Sequence, residues 1–339
     1  MRALFRRVLL ASSSAMLLFT SLAAAETASP RKRAFEFTYT AKVEEIPAGA
    51  GKVEVWVPYP QSDEHQKISD VRVNTPAAAK VYKEKSSGNS MLHFVIEKPR
   101  QPIELSISFD VEREEYVNKD FPKSGGDPRA KLSPDVARWL KPEKLVPINE
   151  RIRQLALEVT ANQQTPLDKA RAIYDYVVKT MAYDKSGTGW GNGDIYWACD
   201  AKRGNCTDFH ALFIGLNRAV GIPARFSIGF PLPADNKDQG EVGGYHCWAE
   251  FYLPGFGWVP VDASEAKKNL DKKEYFFGAL DEHRVQLTTG RDLKLEPRQK
   301  GDPLNYFVYP YVEVDGKPHK SLGKKFSYRK LDGGMTGAR

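Results

Sequence analysis

The sequence has few cysteines and few histidines. Of 339 residues, three are cysteine and six are histidine, and no C-x-x-C pair occurs. An odd number of cysteines excludes complete internal disulfide pairing. The absence of a C-x-x-C pair or of regular histidine spacing argues against a zinc site built from the candidate ligands, which are Cys199, Cys206, His210, His246 and Cys247. The sequence also lacks nucleotide and flavin motifs, so we predict a reaction without metal or cofactor.

Long apolar runs and unbalanced charge are also scarce. The formal charge is +7, and removing Arg2, Arg6 and Arg7 of the N-terminal segment leaves +4. Basic residues are scattered among acidic ones, without the aromatic interleaving of a nucleic-acid groove. After residue 25, no stretch is long and apolar enough to cross a bilayer. We therefore expect neither a nucleic-acid partner nor a transmembrane segment in the mature protein.

Residues 1–25 have the three parts of a secretory signal peptide. Arginines occupy the first part, an apolar stretch interrupted by serines follows over 8–22, and alanines fill 23–25. A membrane anchor would need roughly 20 uninterrupted apolar residues. We predict cleavage after residue 25 and a periplasmic or secreted protein.

Strand and helix patterns divide the mature chain. Short alternating runs separated by Pro, Gly, Asn and Ser predict a small antiparallel β-sandwich-like domain over 33–118, more plausible as a support than as a binding platform. A linker is expected over 119–147, a catalytic core over 148–293, and C-terminal strands with a tail over 294–339. The predicted fold class is α+β.

The stretch RGNCTDFHALFIGLNRAVGIPAR, residues 203–225, predicts a buried helix that begins beside Cys206. Its apolar residues recur at helical spacing, namely Phe209, Leu212, Phe213, Leu216 and Val220. Gly221 and Pro223 end the helix. The positive end of a helix dipole favours a thiolate, so Cys206 is a candidate nucleophile.

A histidine and an aspartate follow on a predicted hairpin. GYHCWAEFY predicts a strand with His246 near its start, and WVPVD predicts its partner, ending at Asp262. The glycine-containing turn between them would bring Asp262 beside His246. Cysteine catalysis needs this set: a thiolate that attacks, an imidazole that transfers the proton, and a carboxylate that orients the imidazole.

These two stretches resemble the core of the bacterial transglutaminase-like superfamily, whose fold is papain-like. The resemblance spans about 148–293 and rests on GNCTDFHALFIGLNRAVGIPAR and GYHCWAEFYLPGFGWVPVDAS. By position it implies Cys206 as nucleophile, His246 as base and Asp262 as orienting carboxylate. It implies acyl transfer at an amide carbonyl, although members include cross-linking, deamidating, hydrolysing and inactive proteins.

The oxyanion donor stays open in the sequence. A glycine-rich loop over 183–197 carries Trp190 and Trp197, which could line the cleft or simply pack. The resemblance suggests a donor before the nucleophile, and Trp190, Tyr183 and a backbone N–H are all candidates.

The remaining candidates near Cys206 are expected to have other roles. His210 lies four residues after Cys206, which leaves no room for a substrate carbonyl between them. Asp208 is expected to stabilise the helix N-terminus. Cys199 and Cys247 could form a disulfide, and strand alternation should turn Cys247 away from the face that carries His246.

We predict an exported thiol acyltransferase, peptidase or amidase that acts on a protein, peptide or cell-envelope amide. The alternative is a non-catalytic module of the same fold that binds peptides or envelope segments. The sequence does not distinguish hydrolysis from amine transfer, and it does not give the oligomeric state.

Overall fold

The computed structural model describes residues 29–100, 102–235 and 237–331. The expected signal peptide lies outside these residues. Within them, no helix has both the length and the apolar character needed to cross a membrane.

The described ranges contain six α-helices, all in the middle of the chain. They are α1 Pro134–Ala137, α2 Glu150–Val159, α3 Pro166–Thr180, α4 Ile195–Ala201, α5 Cys206–Ala219 and α6 Ala263–Lys268. α2 and α3 each begin at a side-chain N-cap, because the side chain of Asn149 accepts a hydrogen bond from Ile152 N and that of Thr165 accepts one from Asp168 N.

Strands make up most of the remaining structure. In chain order they are β1 Lys32–Val43, β2 Lys52–Pro58, β3 Gln66–Asn74, β4 Lys80–Lys83, β5 Ser90–Glu97, β6 Ile103–Glu114, β7 Tyr116–Val117, β8 Ala182–Tyr183, β9 Arg203–Gly204, β10 Ala224–Pro231, β11 Gln239–Glu241, β12 His246–Leu253, β13 Gly257–Val261, β14 Ala279–Leu280, β15 Arg284–Thr289, β16 Tyr311–Val314, β17 Lys317–His319 and β18 Leu322–Lys330.

Two antiparallel five-stranded sheets form the sandwich-like part. Their strand orders are β11-β18-β1-β6-β3 and β17-β16-β2-β5-β4. The C-terminal strands complete both sheets, since β18 pairs with β1 and β16 pairs with β2. The expectation of a sandwich made from 33–118 alone therefore omits strands from both sheets, because pairing between distant segments leaves no local signal.

The sheet of the catalytic core has the order β13-β12-β10-β15, and α5 packs against it. The predicted hairpin is confirmed as β12 and β13, and β15 pairs with β10. Apart from one isolated bridge at Phe277, the segment 275–278 is turn. The aromatic side chains of Phe276 and Phe277 are buried, which accounts for its apolar sequence without a strand.

Two side-chain amides fasten the sandwich to β15, which is an edge strand of the core sheet. The amide of Gln66 donates to Gln286 O at 2.9 Å and accepts from Gln286 N at 2.8 Å. Asn89 makes the same pair of bonds with Thr289, both at 2.8 Å. These amides satisfy backbone groups that an edge strand otherwise exposes, and one continuous apolar cluster joins the two parts.

We predict that Gly229→Ala destabilises the core sheet. A Cβ at Gly229, on β10, would lie 1.8 Å from the carbonyl oxygen of Val285 on β15, so the strands would have to separate. Overpacking of this kind lowers the free energy of unfolding by about 1–3 kcal/mol. Urea denaturation measures the change. Gly243→Ala is the control, because a Cβ there meets nothing within 4 Å. Equal urea midpoints for the two variants would contradict the argument.

Candidate active site

Cys206 is the first residue of α5, as predicted. Asn205 is the N-cap, and its side chain accepts from Thr207 N at 2.9 Å. Asp208 completes a capping box by accepting from Asn205 N at 2.9 Å, which agrees with the expected role of Asp208 at the helix N-terminus. The thiol of Cys206 is therefore held at the positive end of a buried helix.

Asp208 also holds the glycine-rich loop in front of the nucleophile. Its carboxylate accepts from Gly191 N at 2.7 Å and from Gly193 N at 3.0 Å. Gly204 lies against this carboxylate with a φ of +152°, and a Cβ there would come within 2.2 Å of Asp208 Oδ2. One carboxylate thus caps α5 and fixes the loop that precedes it.

His246 and Asp262 meet as the hairpin predicted. The Nε2–H of His246 donates to Asp262 Oδ2 at 2.7 Å, and the Asp262 side chain is fully buried. Asp262 is also the N-cap of α6, where it accepts from Ser264 Oγ and Glu265 N, each at 3.0 Å. The carboxylate of Asp262 therefore accepts three hydrogen bonds, from His246, Ser264 and Glu265.

Arg284 supplies a charge that the sequence analysis did not identify as part of the site. Its Nη1 donates to Asp262 Oδ2 at 3.1 Å and its Nη2 to Asp281 Oδ2 at 3.1 Å. The guanidinium lies 4.9 Å from the ring centroid of Trp248. The only sequence signal was an arginine at the start of a buried strand, where a cation needs a carboxylate partner.

The electrostatics favour an ion pair between Cys206 and His246. Burial opposes a thiolate, yet hydrogen bonds from Cys247 and His246 and the charge of His246 bring the pKa of Cys206 well below its usual value. Burial alone would lower the pKa of His246, but the charge and hydrogen bond of Asp262, with those of Cys206, raise it to about 10. Burial also disfavours ionised Asp262, although His246 and Arg284 hold the pKa of that carboxyl well below its usual range.

Cys247 lies beside the nucleophile. Its Sγ is 3.7 Å from His210 Nδ1 and 3.9 Å from Thr207 Oγ1, on the side of β12 that faces α5. Its thiol also hydrogen bonds to Cys206, and burial together with that bond raises the pKa of Cys247. Cys199 is a separate free thiol, so the disulfide considered between Cys199 and Cys247 is not formed in the structure.

His210 links α5 to α6. Its Nε2 accepts from Ala263 N at 3.2 Å, and its ring donates to the backbone carbonyl of Cys206. Burial lowers its pKa, so the ring is neutral near pH 7. These contacts give His210 a bracing role between the two helices.

The candidates for the oxyanion donor have different surroundings. Trp190 directs its indole N–H to Gly187 O at 3.1 Å, within its own loop. The hydroxyl of Tyr245 accepts from Asn205 Nδ2 and lies within hydrogen-bond reach of Thr207 Oγ1, each at 3.0 Å. Tyr245 thus contacts both residues that flank Cys206. Tyr245 directly precedes His246 in the sequence but was not among the predicted site residues.

A cleft of about 590 Å³ reaches His246. Glu265 and Lys268 on α6 and Arg284 on β15 contribute to its lining. Glu265 Oε1 is 3.7 Å from His246 Nε2, so a second carboxylate lies beside the imidazole at the cleft. Within the described ranges, no group of three or more His, Cys, Asp or Glu side chains could hold a metal ion.

Comparison with known proteins agrees with this description. The sequence profile of the transglutaminase-like superfamily matches residues 153–263. An uncharacterized protein of Haemophilus influenzae is 31% identical over 331 residues, which cover 87% of this chain and 89% of that protein. A protein-glutamine gamma-glutamyltransferase of Pseudomonas aeruginosa is 27% identical over 169 residues, covering 48% of this chain and 24% of that protein.

A solved structure shows the same fold over nearly the whole chain. It belongs to a candidate cysteine protease from Cytophaga hutchinsonii, with a TM-score of 0.62, 17% identity, and coverage of 91% of this chain and 94% of that one. The fold is sheet-rich and α+β, as found in papain-like cysteine enzymes and their relatives. The chain belongs to the transglutaminase-like superfamily.

We predict that alkylation of Cys206 by iodoacetamide changes little between pH 6 and 8. Below its pKa of about 8.5, an ordinary thiol reacts roughly tenfold faster for each unit rise in pH. The lowered pKa of Cys206 keeps the thiolate populated over this range. The pH profile is the informative measurement because Cys206 is only 2% exposed, so its absolute rate also depends on access.

Peptide-resolved mass spectrometry provides a control in the same sample. Burial raises the pKa of Cys199 to about 11, so its labelling should rise steadily with pH. In Asp262→Asn, Cys206 should also become pH-dependent, because His246 loses the carboxylate that raises its pKa. A Cys206 profile parallel to that of Cys199 in the native protein would refute the ion pair.

Proposed function

We propose that this chain is an exported cysteine-dependent enzyme that transfers or hydrolyses an acyl group at an amide carbonyl. The single observation that carries the proposal is the buried Cys206 at the start of α5, hydrogen bonded to a histidine that Asp262 holds at 2.7 Å. Membership of the transglutaminase-like superfamily supports the general chemistry.

Each residue of the triad has a defined step. The thiolate of Cys206 attacks the amide carbon and forms a C–S bond. As the C–N bond breaks, imidazolium His246 gives its proton to the leaving amine or ammonia, which leaves a thioester on Cys206. His246 then takes a proton from water or a second amine, whose attack breaks the C–S bond and restores the thiolate. Asp262 and Arg284 keep the imidazole oriented throughout.

The negative charge of the tetrahedral intermediate needs hydrogen-bond donors. First-turn N–H groups of a helix have no partner within the helix, and Cys206 itself occupies the first position of α5. We therefore assign the oxyanion donor to the backbone at Cys206 rather than to Trp190, whose N–H is used by Gly187. The ring of Tyr183, the third candidate, packs against Phe209 of α5 with ring centroids 6.0 Å apart.

Export follows from the predicted signal peptide at 1–25, and it limits the substrates to proteins, peptides or envelope amides. Water resolves the acyl-enzyme in hydrolysis, whereas a primary amine resolves it in transfer. Incubation with envelope extract and a tagged primary amine measures both: ammonia release counts acylation at primary amides, and incorporated tag counts transfer.

We predict that Cys206→Ala abolishes both signals while leaving the protein folded. Alanine suits a helix start, so the free energy of unfolding should change by no more than about 1 kcal/mol. Ammonia release, tag incorporation and a urea melt on the same preparation test the two halves of the prediction.

Cys199→Ala is the matched control. Cys199 lies on α4 as a free, half-buried thiol, so activity should stay proportional to folded protein. Turnover by Cys206→Ala, or its loss in well-folded Cys199→Ala, would show that the nucleophile has been assigned to the wrong sulfur.

A further inference from the structure

A second cavity, of about 600 Å³, lies beside the catalytic cleft and contains a buried arginine. Along β12, His246 lines the first cleft, while Trp248 and Glu250 line the second cavity. Along β15, Arg284 and Gln286 are divided in the same way. Alternate residues of a strand share a face, so both cavities lie on one side of the core sheet.

Arg113 is the unusual group in this cavity. It occupies the last buried position of β6, in line with Phe109 and Val111, and its side chain is 2% exposed. Its Nε has no hydrogen-bond partner in the part of the chain that the structure describes, and its ion pair with Asp63 spans 4.0 Å. A buried guanidinium normally has close acceptors, because desolvation of an unpaired charge is costly. Among the described residues, Arg113 therefore has no acceptor closer than Asp63 at 4.0 Å.

The other charges of the cavity show which ligand would complement it. Arg225 and Glu250 neutralise each other through bonds of 2.7 and 2.8 Å. The pKa of His65 is lowered, first by burial and then by Arg113, so its ring is neutral. Asp63 is held by a hydrogen bond from His65 N at 2.8 Å, and Glu64 forms no ion pair with any described residue. The charges available to a ligand are therefore one cation and two carboxylates.

We propose that this cavity binds a zwitterionic α-amino-acid group, with its carboxylate on Arg113 and its ammonium on Asp63 and Glu64. Aromatic walls suit the apolar part of such a ligand, since Trp248 and Trp258 line the cavity and the ring of Tyr116 stacks with His65 at 3.7 Å. A simple anion would meet both carboxylates, and a simple cation would meet Arg113. A ligand with both charges complements Arg113 and the two carboxylates together.

Two sources share this chemistry: a free amino acid, and a residue linked to a larger molecule through its side chain. The second source rests on the proposed function. His246 and Glu250 are four residues apart, or about 13 Å along a strand. A side-chain-linked residue bound at Arg113 would therefore extend along β12 toward His246.

Calorimetry on the full chain carrying Cys206→Ala tests the proposal without turnover. Phenylalanine represents a free amino acid and Nε-acetyllysine represents a side-chain-linked one. Both should bind, and tighter binding of Nε-acetyllysine identifies the linked source. N-acetylphenylalanine lacks the ammonium and phenylalaninamide lacks the carboxylate, so each should bind at least about tenfold more weakly than phenylalanine.

Variants assign the two charges to residues. Arg113→Gln should weaken phenylalanine binding at least about tenfold and should abolish the preference for phenylalanine over its amide. Glu64→Gln is on the surface and should weaken binding without affecting folding, which keeps the test valid if Arg113→Gln does not fold. Arg129→Gln is the control, because that side chain is 92% exposed and should leave affinity unchanged.

Equal binding of phenylalanine and its blocked forms, or no binding at millimolar concentration, would overturn the proposal. Binding is measured on the Cys206→Ala variant, which has no nucleophile. The binding result would therefore stand even if the native protein proved inactive. Conversely, loss of binding would leave the cysteine chemistry intact.

Discussion

The buried carboxylate of Asp262 connects the elements of the catalytic region. It accepts from His246 on β12, from Arg284 on β15, and from Ser264 and Glu265 in α6. An isolated buried carboxylate would be protonated, so these four donors are what keep it ionised. Its charge, in turn, keeps the buried imidazole of His246 protonated. The thiolate of Cys206 therefore depends on the contacts of Asp262, which act on the sulfur through His246.

The features of the fold and the site that could be predicted from the sequence are those encoded within a few neighbouring residues. Asn205 and the apolar spacing after Cys206 predict α5, because caps and helical faces are encoded within a few residues. The β12–β13 hairpin is local too, so the meeting of His246 and Asp262 follows from a short turn. Arg284 lies 22 residues beyond Asp262 in the chain. No short-range pattern connects the two residues, and their contact depends on β15 joining the sheet beside β10.

The predicted sandwich lacked its C-terminal strands for the same reason. Alternation in β1 and β6 marks strands correctly, but nothing in those strands identifies their neighbours. β18 arrives from the far end of the chain to pair with β1. Likewise, the alternation of side chains along β12 predicts which way Cys247 points, but not which residue it contacts. The side of β12 opposite His246 is the side that α5 covers, so Cys247 becomes a neighbour of Cys206 instead of a remote thiol.

The side-chain amides of Gln66 and Asn89 connect the sandwich through β15 to the site around Asp262. They fix the backbone at Gln286 and Thr289, and β15 carries Arg284 on the same face as Gln286. A shift of this strand by one residue would turn the guanidinium away from Asp262, because side chains alternate along a strand. The sandwich therefore does more than enlarge the protein. It helps to set the register of the strand from which Arg284 donates to Asp262.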